Sequence, residues 1–86
     1  MTLKDAVNNQ DWDRIEYRLE FPEELGSGDT FYGECRYKDG ELISLDGEFY
    51  SLEDEIARFR VAGSPEIGGL ATLIVYVSWD PYKVRV

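Results

Sequence analysis

Arg14-Ile15-Glu16-Tyr17-Arg18-Leu19-Glu20-Phe21 alternates without a fault. Ile15, Tyr17, Leu19 and Phe21 point to one side of an extended chain. Arg14, Glu16, Arg18 and Glu20 point to the other, the period-two pattern of a strand with one dry face and one wet face. The wet face carries two cations and two anions, so it neutralises itself together with neighbouring strands. Pro22 ends the run, and residues 23–29, with Gly26 and Gly28, read as a loop.

Downstream, residues 31–38 give a second strand. Phe31, Cys35 and Tyr37 are expected inward; Tyr32, Glu34, Arg36 and Lys38 are expected outward. Asp39-Gly40 is the favoured dipeptide for a two-residue type I′ hairpin. That turn sets Lys38 opposite Glu41, an opposite-charge pair, and returns the chain as a third strand over residues 41–45. Asp46-Gly47 repeats the turn signal, with 48–50 as the stub of a fourth strand. Ser51-Leu52-Glu53-Asp54 then predicts a second helix, with Ser51 as its cap and three acids at the positive end of its dipole. Leu52, Ile56 and Phe59 share its face, and Arg58 and Arg60 fill its last turn. Residues 62–69 are a connection. Residues 70–79 are apolar on both faces, as in an interior strand, and 82–86 alternate as an edge strand. Upstream, Thr2 and Asp5 cap a short helix whose apolar side is Leu3, Ala6 and Val7.

These elements describe one small α+β domain over residues 1–86. Its sheet is mostly antiparallel, with four to five strands and one or two short helices packed on it. Eighty-six residues leave no room for a second core. Cys35 is the single cysteine, so no internal disulfide forms, and a reducing compartment is expected. No basic and apolar leader opens the chain, and no apolar run reaches the roughly 20 residues of a membrane span. The expected setting is cytoplasmic, in a bacterial host, with no membrane contact.

The absence of histidine removes Ser-His and Cys-His nucleophile activation and the commonest metal ligand. The glycines Gly26, Gly28, Gly68 and Gly69 lack phosphate-loop spacing. Asp11-Trp12-Asp13, Asp39-Gly40-Glu41 and Asp46-Gly47-Glu48 do not fit a twelve-residue calcium loop. Cys35, on the apolar side of a strand among acids, reads as core. The expectation is no enzyme, no catalytic residues, no cofactor and no metal.

Charge is the remaining lead. The chain carries a net −9, and residues 23–57 alone hold eleven carboxylates against two bases. Such asymmetry opposes folding by self-repulsion, so its use lies outside the fold or in solubility. Outward side chains on a strand repeat at about the 6–7 Å spacing of successive phosphates. Glu34, Asp39, Glu41, Asp46, Glu48, Glu53, Asp54 and Glu55 are therefore expected to form an acidic ridge, with Tyr32 and Tyr50 as aromatic contacts beside it. Its partner is a basic nucleic-acid-binding protein; the ridge itself contacts no nucleic acid. A solubilising surface is the plain alternative.

By size, charge, lack of a catalytic set, and the order helix, antiparallel strands, acidic segment, the chain resembles the small acidic DNA-mimic proteins of phages and mobile elements. The residues that carry the resemblance are Glu34, Lys38-Asp39-Gly40-Glu41, Asp46-Gly47-Glu48 and Ser51-Leu52-Glu53-Asp54-Glu55. The nearest type is the anti-CRISPR inhibitors of type II Cas nucleases. The resemblance implies binding where protospacer-adjacent DNA docks. An anti-restriction DNA mimic has the same appearance. The alternative from another class is a small adaptor or antitoxin-like protein that pairs through the sheet edge at 82–86.

Overall fold

The faultless alternation becomes β1 (Trp12–Glu20), the middle strand of a five-stranded sheet. The computed structural model describes residues 1–63 and 71–79. Helix α1 (Leu3–Val7) precedes β1, and a 3-10 turn at Glu23–Leu25 follows it. The remaining strands are β2 (Asp29–Lys38), β3 (Glu41–Ser44), β4 (Arg58–Gly63) and β5 (Thr72–Ser78). Their order across the sheet is β3-β2-β1-β5-β4. Every neighbouring pair is antiparallel except β1 and β5, which run parallel with Ile15 beside Leu73 and Tyr17 beside Val75. The architecture is α+β and mostly sheet. The predicted edge strand at 82–86 and the connection at 64–69 lie outside the described residues.

Two predicted features appear as read. Asp39 and Gly40 both take positive φ (51° and 81°), as a type I′ turn requires, and Lys38 is the Cα partner of Glu41. β5 has neighbours on both sides and buries Leu73 and Val75 on one face, Ile74 and Tyr76 on the other.

The second helix does not form. Ser51 to Asp54 closes instead as a single turn. The Asp54 amide donates to the Ser51 carbonyl (3.0 Å), and Asp54 Oδ2 accepts the Ser51 amide (3.0 Å). Ser51 Oγ accepts the Glu53 amide (3.1 Å), so its capping capacity is used within that turn. Beyond it, Glu55 bridges to Thr2 and the chain extends into β4. Arg58-Phe59-Arg60-Val61 is itself an alternating run, and pairing it against β5 satisfies a doubly apolar strand that needs a neighbour on each edge. The predicted stub at 48–50 is irregular as well.

A β-bulge corrects the facing of β2. Tyr17 pairs with Gly33, but Arg18 pairs with Phe31, so Tyr32 is the extra residue. Phe31 therefore moves to the wet face, where it is 49% exposed. Tyr32, predicted outward, packs against the core. A second irregularity between Trp12 and Ile15 brings both inward despite their odd spacing.

The core lies between the sheet and a second layer made of α1 and the irregular segment 46–56. Leu3, Ala6 and Val7 of α1 meet Ile15, Tyr17, Cys35, Leu73 and Val75 of the sheet and Ile56 of the segment. The Trp12 indole donates to the Val7 carbonyl (3.0 Å), fixing the helix to the start of β1. Backbone bonds from Leu3 to the Asp54 carbonyl (2.9 Å), Lys4 to that of Leu52 (2.8 Å) and Ile56 to that of Met1 (2.9 Å) join the two parts of the layer. No helix among the described residues is long and apolar enough to cross a membrane.

Cys35 sits fully buried in this core. Burial, with Asp46, Asp54 and Glu34 nearby, pushes its thiol up to about 12. A chromogenic disulfide reagent at about pH 8 should leave it unmodified in the native protein and modify it completely in urea. Rapid native labelling would place Cys35 outside the core.

Candidate partner-binding surface

The register sorts the charges. Among the described residues the bases are Lys4, Arg14, Arg18, Arg36, Lys38, Arg58 and Arg60, and all but Lys4 belong to the wet face of the sheet. There Arg14 pairs with Glu16 (2.8 Å) and Glu34 (2.8 Å), and Arg18 with Glu16 (3.0 Å) and Asp29 (2.6 Å). Arg58 pairs with Glu20 and lies 3.7 Å over the Tyr76 ring, while Arg60 donates to the Tyr76 hydroxyl (2.9 Å). Arg36 donates to the Asp13 carbonyl (3.2 Å). Such solvent-screened pairs contribute little to stability. Their larger effect is to fasten the cations to one side of the sheet.

No base occurs between Lys38 and Arg58, a stretch that holds seven carboxylates. Most of it forms the strap across the opposite, dry face. Two tyrosines clamp that strap. Tyr17, rising from β1, donates its hydroxyl to Asp54 Oδ2 (2.9 Å). Tyr50, on the strap, donates to Asp46 Oδ2 (2.5 Å), and its ring rests on Tyr17 with centroids 4.9 Å apart. Burial, then the facing aspartate, raises both phenols above their ordinary value. Beneath lies Gly33: a Cβ there would overlap the Tyr50 hydroxyl and stand 2.8 Å from Asp46 Oδ2.

Asp46 is the most heavily bonded acid of the strap. It accepts the Tyr50 hydroxyl, the amides of Glu34 (3.1 Å) and Glu48 (2.9 Å), and the Ser44 hydroxyl (3.2 Å). Desolvation opposes its ionisation, but these four donors outweigh it and hold Asp46 at about 2, below the ordinary 3.8.

The ten residues expected to form one ridge divide accordingly. Glu34 points to the arginine-bearing face and pairs with Arg14. Glu41 lies on that same face, across the turn from Lys38. Asp46, itself exposed, accepts from Tyr50, half-buried Asp54 accepts from Tyr17, and Tyr32 packs on the core. Asp39, at the hairpin tip, donates its amide to Asp11 Oδ1 (3.1 Å). Glu48, Glu53 and Glu55 remain exposed on the strap, Glu55 within 3.6 Å of the amino terminus. The second layer thus leaves Glu48, Glu53 and Glu55 exposed on one strap, while Glu34 and Glu41 lie on the opposite face of the sheet. Phe49, outside the expected set, is the most exposed large apolar side chain among the described residues, at 84%. Its sequence signal was an aromatic between Glu48 and Tyr50 with no apolar partner at strand spacing. Among the described residues, no group of three or more Cys, Asp and Glu side chains is arranged to hold a metal ion.

Comparison with known proteins adds no relative: no family model, curated protein or solved structure matches this chain.

Because Asp46 titrates lower in the folded chain than in the unfolded one, its contribution is complete above about pH 4. It is lost as pH falls toward 2. Urea unfolding of wild type and Asp46→Asn should therefore differ most near neutral pH and converge toward about pH 2. A gap independent of pH would mean that the carboxylate charge is not what the donors recognise. Gly33→Ala should cost about 1–3 kcal/mol in the same assay, because the added methyl displaces the clamp. Combining it with Tyr50→Phe, which removes the overlapping oxygen, should recover part of that loss.

Proposed function

We propose that this chain is a non-enzymatic acidic inhibitor that imitates nucleic acid and occupies the DNA-binding site of a nuclease, with a type II CRISPR Cas nuclease as the first target to test. The observation that carries this reading is the segregation of charge across the sheet. On one face Arg14, Arg18 and Arg58 are held in ion pairs with Glu16, Glu20, Asp29 and Glu34. The opposite layer presents Glu48, Glu53 and Glu55 on a strap without a base. A surface needed only for solubility gains nothing from such sorting, since interspersed signs serve as well. A sorted surface steers toward a lysine- and arginine-lined channel and displaces its counterions.

The structure changes which acids test the idea. Asp46 and Asp54 hold the fold together, so replacing them confounds binding with unfolding. Glu48→Gln, Glu53→Gln and Glu55→Gln leave the clamp in place. The triple variant should keep the wild-type melting temperature yet bind a guide-loaded type II Cas nuclease at least about tenfold more weakly. Wild-type affinity should fall steeply between ~50 and ~500 mM salt, and target DNA should compete. Equal binding by the triple variant, or indifference to salt, would refute the mimic.

A further inference from the structure

We propose that Phe49 is the anchor by which this chain enters its partner, in a pocket that otherwise receives an unstacked base: an apolar or aromatic slot rimmed by lysines and arginines. The proposal deepens the acidic-mimic reading and rests on it.

Scattered exposed apolar side chains are ordinary, and Met1 and Leu25 are of that kind. Phe49 differs in how it is presented. Both neighbours are fastened to Asp46, Glu48 by its amide (2.9 Å) and Tyr50 by its hydroxyl (2.5 Å). With the Tyr50 ring turned down onto Tyr17, the adjacent Phe49 is turned out, and it is 84% exposed. The strap thus displays an aromatic ring on a fixed backbone, forgoing the burial it would otherwise gain. A side chain carried on a backbone already ordered spares the cost of ordering that backbone on docking, which favours an interface anchor.

Its surroundings select the partner. Glu48 is adjacent, and Glu53 and Glu55 follow on the same strap. A second copy would bring two acidic layers together, and an anionic membrane would repel this one. An exposed ring next to one carboxylate, with two more further along the strap, sets an aromatic group beside negative charge, as a single strand does. Proteins that bind such strands stack the bases on aromatic side chains and hold the backbone with cations. That pattern points to a base-receiving pocket rather than to a smooth duplex channel.

Two probes test the proposal: a guide-loaded type II Cas nuclease and a single-stranded-DNA-binding OB-fold protein. Binding of the intact chain and displacement of labelled single-stranded DNA would be measured for wild type, Phe49→Ala, Phe49→Trp and Phe59→Ala. Phe49→Ala should weaken binding to at least one probe about tenfold or more, with melting temperature and salt slope unchanged. Phe49→Trp should retain binding, and Phe59→Ala, on an exposed aromatic of β4, should have no effect. Phe49→Ala binding within about twofold of wild type to every probe that wild type binds, or no wild-type binding to either, overturns the proposal. Loss with Phe49→Ala on the OB-fold protein alone supports the anchor and removes the nuclease as target. Loss with Phe49→Ala but not with the triple Glu→Gln variant keeps the anchor and removes charge mimicry.

Discussion

Two tyrosine hydroxyls donating to two aspartates hold this fold closed. The sheet can form from its own alternation, but its dry face must be covered, and five-residue α1 is too short to cover it. What completes the cover is a strap with five carboxylates and no base between residues 46 and 55. Without specific donors that strap would favour water. Tyr17 and Tyr50 convert two of its acids into attachment points, and a hydrogen bond to a charged group contributes about 1.5–3 kcal/mol where a neutral one gives roughly 1. Gly33 is part of the same device, since only a residue without Cβ lets the Tyr50 hydroxyl and Asp46 settle onto β2.

That constraint also explains where the cations went. β1 and β2 carry Arg14, Arg18, Arg36 and Lys38 on the face away from the strap, next to Glu16, Glu34 and Asp29. Had they faced the strap, they would have competed with the tyrosines for Asp46 and Asp54 and placed charge in the core. The sheet instead pairs Arg14, Arg18 and Arg58 with its own acids, and the strap keeps its charge. Fastening the second layer thus requires the cations to stay off the strap, but it does not require the further exposed acids Glu48, Glu53 and Glu55 that the strap also carries.

Legibility of the sequence followed the same division. Segments whose structure depends on alternation alone were readable: β1, the β2–β3 hairpin through Asp39-Gly40, and β5 with its two apolar faces. Misreadings fell where a distant partner decided the outcome. Ser51 followed by three acids is a sound helix start, but Asp54 is claimed by Tyr17, thirty-seven residues away, and Ser51 is consumed in the turn. Leu52 and Ile56 keep helical spacing by coincidence, each reaching the core from an irregular backbone. The exchange of Phe31 and Tyr32 has another cause: parity counting fails wherever a strand gains a residue. Gly33 beside the bulge is the local hint, since a glycine inside a strand often marks one. Of the expected surface, the strap acids Glu48, Glu53 and Glu55 were readable as outward charge. Sequence could not tell these from Asp46 and Asp54, because both sets are acids in one polar stretch and only the position of two tyrosine hydroxyls separates them.

This separation within one run of acids bears on how a surface of this kind works. Flexible acidic tails bind basic proteins by charge alone, and they lose chain entropy each time they dock. Here the hydrogen-bonded acids Asp46 and Asp54 have already ordered the backbone that carries Glu48 and Glu53. The four donors on Asp46 fix residues 46–50, and the turn closed by Asp54 fixes 51–54. Charges held at set positions recognise a particular arrangement of cations rather than any cationic surface, because a mismatch leaves unpaired groups that cannot shift to compensate. In the proposed inhibitor the clamp would act on selectivity through rigidity. Loosening it at Tyr17 or Tyr50 would leave the net charge untouched while removing the fixed geometry, so charge and geometry are separable contributions to whatever this surface recognises.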